Sequence, residues 1–124
     1  MKTKAILFAL VLFLVLDAAF LYFNSKVFNH QVIQVQRVVM TPKYTGIFAA
    51  YAVILFAYYY FILRTRRPVY EAALLGGVIN GVYELTNYSI LKKWSINTVV
   101  MDTLWGATSW GLVTYITYSI FYSN

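Results

Sequence analysis

The apolar residues of this chain gather into four long blocks, 5–23, 44–63, 69–91 and 99–121, parted by short polar or basic connections. At ~1.5 Å of rise per helical residue, each block comes close to or exceeds the ~30 Å needed to cross the hydrocarbon of a bilayer. The pattern predicts an all-α fold: a four-helix transmembrane bundle forming a single integral membrane domain over residues 1–124. In the more polar stretch 24–43, Phe28, Val32, Val35 and Val39 recur at helical spacing, with His30, Gln34 and Arg37 off that stripe. This reads as a short interfacial amphipathic helix between spans one and two; a plain loop is the alternative.

The ends of the blocks carry their own signals. Tyr58, Tyr59 and Tyr60 close the second block, where aromatic rings favour the headgroup region. Arg64-Thr65-Arg66-Arg67 then forms a tight basic turn, and Pro68 is placed to open the next helix. Glu71 follows Arg67 by one turn, the spacing of a surface ion pair. Lys92, Lys93 and Trp94 mark an interface after the third block. Gly77 and Gly81 form a small-xxx-small pair that lets helices approach closely. The first block has the basic start of a secretory signal in Lys2 and Lys4, but the small residues around Asp17-Ala18-Ala19 lack the spacing of a cleavage site. It is expected to be retained.

Composition sharpens this picture. Only 11% of the residues are charged, against ~25% in soluble domains, too few to cover a water-exposed globule. The formal charge of +6 comes from ten Lys and Arg residues. They lie in or beside the connections, where membrane proteins keep them, so the expected partner is the lipid bilayer and not nucleic acid. With four spans, Lys2, Lys4, Arg64, Arg66 and Arg67 fall on one side and Lys26, Arg37, Lys43, Lys92 and Lys93 on the other. The counts tie. The densest cluster lies in the shortest loop, which favours cytoplasmic termini in a multi-pass protein. The absence of cysteine removes disulfides, thiolate metal sites and cysteine nucleophiles, and a single histidine removes a zinc site built on several. No catalytic triad, phosphate loop, redox motif or cofactor signature is present. Asn87-Tyr88-Ser89 matches a glycosylation sequon but lies inside a predicted span.

The acidic residues carry the remaining chemistry. There are four, all within or at the edge of the apolar blocks. A carboxylate in hydrocarbon costs several kcal/mol unless paired, hydrated or protonated. Counting from the block ends, Asp17 lies roughly 9 Å, Glu84 roughly 10 Å and Asp102 roughly 5 Å from the face that holds the first and third connections. Three carboxylates from three helices thus share one layer. Asn87 lies in that layer and Asn80 extends the same helix face one turn deeper. Three like charges repel there, so at least one is expected to be protonated or paired with a cation.

Tyr83-Glu84-Leu85-Thr86-Asn87, then Trp94, then Asp102-Thr103-Leu104-Trp105-Gly106 resemble a family of predicted bacterial-type membrane proteins known as domain of unknown function 2177. Its pattern has Tyr-Asp-Leu-Thr-Asn in the third helix and Asp-x-x-Trp-Gly in the fourth. A first-helix Asp-x-x-Trp-Leu motif stands here as Asp17-Ala18-Ala19-Phe20-Leu21. Glu84 replaces the usual Asp and Phe20 the usual Trp. The resemblance implies a small multi-spanning membrane protein and supplies no activity. Its motifs contain Asp17, Glu84, Asn87, Asp102 and Trp105, so together with Asn80 these are the candidate ligand-binding residues.

Three functions remain open. In the first, the layer binds or transports a proton, a small cation or a polar or lipid ligand. Four short helices enclose little volume, so transport would need a homo-oligomer or other membrane proteins. In the second, the polar groups only lock a structural or assembly protein of a cellular or viral membrane, with Lys92, Arg37 or a tyrosine as partners. In the third, paired carboxylates serve a membrane-embedded lipid-modifying enzyme, which no nucleophile or metal motif supports. A divalent metal held by these oxygens lacks a spacing motif.

Overall fold

The computed structural model of the protein describes residues 2–28, 30, 43–91 and 93–122. They form four long helices: α1 (Thr3–Phe23), α2 (Tyr44–Tyr58, continued by a π-helical turn, Tyr59–Leu63), α3 (Val69–Ile90) and α4 (Ile96–Phe121). No strand occurs among the described residues, so the fold is all-α. Helix limits follow the apolar blocks closely. The exception is α4, which starts three residues earlier than its block. The Ser95 hydroxyl accepts a hydrogen bond from the Asn97 backbone N–H at 3.1 Å and caps the helix there. Residues 25–28 are helical. The rest of the expected amphipathic stripe, Val32, Gln34, Val35, Arg37 and Val39, lies outside the described residues.

The basic turn closes α2 with a Schellman motif. Arg66 adopts a left-handed conformation, φ 53°. The Arg66 N–H reaches the Leu63 carbonyl at 3.1 Å and the Arg67 N–H reaches Ile62 at 2.8 Å. Tyr118 donates its hydroxyl to the Arg67 carbonyl at 2.6 Å. Arg67 grips Glu71 with two hydrogen bonds, 2.5 and 2.7 Å, the ion pair its spacing predicted; that pairing strengthens the guanidinium's hold on its proton. The Lys2 backbone N–H donates to the Tyr122 hydroxyl at 2.8 Å, and the Arg66 guanidinium lies 4.1 Å from the Tyr122 ring centre. One end of the bundle therefore gathers the start of α1, the basic turn and the end of α4.

The outer surface is strongly apolar, and several polar groups are buried beside the apolar core. Leu74, Val78, Val82, Leu85, Leu104 and Leu112 of α3 and α4 point outward, while Glu84, Thr98, Ser109, Thr114 and Thr117 are buried. Water would favour the reverse, and lipid favours this. Two helices, α1 and α2 with its π-helical turn, are long and apolar enough by composition alone to cross a membrane. The other two are long enough, at 22 and 26 residues, but their polar side chains, buried and exposed alike, lower their mean apolarity.

The most extensive helix pair is α3 with α4, and its closest approach corrects the sequence reading. Gly77 and Gly81 do face α4, but at ordinary contact distance. A Cβ there would lie 3.4 Å from Ala107 Cβ and 3.5 Å from Thr103 Cγ2, respectively. The tight crossing is Gly76 against Gly106, where a Cβ on either glycine would strike the other's carbonyl oxygen. Beside it, in the half nearest the termini, lies a dry aromatic core. Trp110 packs edge-on to Phe13 at 5.5 Å and tilted on Tyr58 at 4.9 Å. Thr114 donates to the Trp110 carbonyl at 2.7 Å, so its oxygen accepts the Tyr58 hydroxyl at 2.6 Å.

Candidate functional site

The other half of the bundle holds the carboxylates. Asp17 on α1 is bonded through both oxygens. Trp105 Nε1 on α4 donates to Oδ1 at 2.9 Å, and the Tyr51 hydroxyl on α2 donates to Oδ2. Phe20 stacks flat on the Trp105 indole, with centroids 4.6 Å apart and planes 5° apart. An aromatic face is what that position supplies, and either Phe or Trp can supply it. The Asp17 cluster ties three helices together by hydrogen bonds that lipid cannot replace.

Glu84 on α3 is held differently. It has no solvent exposure. Its Oε1 accepts a 2.9 Å hydrogen bond from Trp94 Nε1, its Oε2 has no N–H or hydroxyl donor among the described residues, and the Asp102 carboxyl is within hydrogen-bonding reach of the Glu84 carboxyl. The Asp102 carboxyl lies beside it, and Asp17 is the next acidic group. Asn80 donates its amide to the Asp102 backbone carbonyl at 3.0 Å. It thereby fixes α4 against α3 through the main chain rather than through the acid. Asn87 is half-buried one turn beyond Glu84 and is not part of the cavity lining described next.

Glu84 and Asp102 open onto a cavity of about 720 Å³. Its other walls come from Ala18, Leu21, Ile47 and Trp94, and the exposed Tyr22 and Tyr83 place its mouth on the outer surface. The walls are mostly apolar, and the acids are its anionic chemistry. Two adjacent carboxyls in a poorly hydrated layer are stable with a proton or a cation between them. The described residues contain no group of three His, Cys, Asp or Glu side chains placed to hold a metal ion.

The depth argument thus brought Asp17, Glu84 and Asp102 to one level, with Trp105 and Asn80 attached to them. It missed two partners. Tyr51 begins as an unremarked aromatic in an apolar run, yet it lies seven residues after Tyr44, roughly 10 Å from the same face. The same arithmetic applied to α2 would have found it. Trp94 read as an interface marker, and no spacing rule shows that it folds back onto Glu84. Of the expected cationic partners, Lys92 and Arg37 lie outside the described residues.

A helical bundle with a strongly apolar outer surface and a carboxylate layer buried among apolar helices defines an all-α membrane protein. The sequence profile of the family described as Predicted membrane protein (DUF2177) matches residues 2–119, nearly the whole chain, and the protein belongs to that family. No curated protein and no solved structure matches the chain.

Proposed function

We propose that the protein crosses the membrane four times and that the Glu84–Asp102 half of its carboxylate layer binds a cationic or hydrogen-bond-donating ligand. Both termini would lie on the cytoplasmic side, the side of the Arg64–Arg67 cluster. The observation that carries the site is the Glu84–Asp102 pair lining a cavity: Glu84 Oε2 is withdrawn from solvent with no N–H or hydroxyl donor among the described residues, and the neighbour within hydrogen-bonding reach of this carboxyl is a second acid, Asp102. With both acids ionised that acceptor is left unbonded, at a cost of about 1–3 kcal/mol and more when charged, and a cationic or donating ligand removes that cost as a bridging proton does. Asp17 supports the structural reading for its own part of the layer, since Tyr51 and Trp105 already satisfy both oxygens.

Equilibrium dialysis of the full chain in neutral detergent against methylammonium tests the proposal. Saturable binding is expected, lost in Glu84→Gln with Asp102→Asn and kept in Asp17→Asn. Binding that survives the double change, or no saturable binding in the unaltered chain, would contradict it.

A further inference from the structure

The cavity at Glu84 has a neighbour. A second cavity of about 600 Å³ lies between α1 and α2, lined by Leu14, Phe48, Tyr51, Ala52 and Leu55. Ala18, Leu21 and Ile47 line both, so the two spaces are neighbours parted by these three side chains. The second runs away from the acids: Leu14 is one turn nearer the middle of α1 than Ala18, and Leu55 lies two turns past Ile47 on α2. One chamber thus offers anionic oxygen and the other offers hydrocarbon walls. Each volume lies within the ~300–1,000 Å³ of ordinary ligand pockets.

Taking the binding reading above as its basis, we propose that the site takes a single-chain amphiphile with a protonated amine head. The ammonium sits between Glu84 Oε2 and the Asp102 carboxyl, and the chain lies in the cleft between α1 and α2. Charge selects the head. Glu84 Oε2 has no N–H or hydroxyl donor among the described residues, and the group in hydrogen-bonding reach of its carboxyl is a second acid, Asp102, so an anionic head is repelled and a neutral hydroxyl meets only part of the charge. Walls of Leu, Ile, Phe and Ala select the tail. The exposed Tyr22 and Tyr83 at the mouth let the molecule enter sideways from the leaflet.

Native mass spectrometry of the full chain, released from neutral detergent after titration with dodecylamine, dodecanol, dodecyl sulfate or methylammonium, tests this. A single dodecylamine adduct is expected at a concentration at least ~10-fold below that needed for dodecanol, the scale of one charge-assisted contact. Dodecyl sulfate should show no specific adduct. Methylammonium should bind more weakly than dodecylamine, and Glu84→Gln should cost dodecylamine about tenfold. These comparisons among probes need no variant, so a misfolded substitution cannot decide the result. Equal binding of methylammonium and dodecylamine, both dependent on the acids, would overturn the amphiphile and leave the cation site standing. Equal binding of dodecylamine and dodecanol, unaffected by Glu84→Gln, would overturn both; a bond from Lys92 or Arg37 to the acids would produce that outcome.

Discussion

An indole N–H donates and accepts nothing, and two of the three tryptophans here aim that donor at a carboxylate. The third, Trp110, is packed into the dry core. Trp105 meets an acid whose other oxygen is already bonded to Tyr51, so Asp17 is complete as a structural pin. Trp94 meets an acid whose other oxygen has no N–H or hydroxyl donor among the described residues. Trp105→Phe keeps a ring against Phe20 and removes the N–H donor together with part of the indole's bulk. It should lower the unfolding free energy in detergent by about 1–3 kcal/mol. In an Asp17→Leu background the same change should cost clearly less, because the bond is already gone and only the loss of packing remains. Equal costs in the two backgrounds, read from unfolding followed by circular dichroism, would show that the indole does not serve Asp17.

For the helices, hydrophobic patterning was a good guide to where each begins and ends and a poor guide to how they face each other. The limits were legible because Lys, Arg and Pro interrupt the apolar blocks at their ends. The crossing of α3 and α4 was not, because Gly76, Gly77 and Gly81 are equally small and only the rotation of two helices about their axes selects among them. Two substitutions separate these readings. Gly106→Ala would place a methyl 2.5 Å from the Gly76 carbonyl oxygen and 2.7 Å from Asn80 Nδ2, so the helices must part. A loss of about 1–3 kcal/mol is expected, along with disturbance of the Asn80–Asp102 bond. Gly77→Ala meets Ala107 Cβ at ordinary contact distance, 3.4 Å, and should be nearly neutral by the same unfolding measurement. The reverse order would restore the Gly77–Gly81 stripe as the tight interface.

Across the molecule, the two halves divide the work. The half at the termini is closed by the Arg66–Tyr122 and Tyr118–Arg67 contacts and filled by Phe13, Tyr58 and Trp110. The half at the first and third connections holds Asp17, Glu84 and Asp102, every acid except the surface-paired Glu71, together with the cavities described above. Both α1 and α2 belong to this plan, since α1 supplies Phe13 to one half and Asp17 to the other. The plan requires consecutive helices to cross a bilayer in opposite directions. Single cysteines at Thr3, Ser25, Thr65 and Lys93, all exposed, test it directly in a cysteine-free chain. With the chain in sealed vesicles, a membrane-impermeant maleimide should label Thr3→Cys and Thr65→Cys from one side, and Ser25→Cys and Lys93→Cys only from the other. Labelling of all four from a single side would contradict the four-span bundle and, with it, the placing of the carboxylate layer within the membrane.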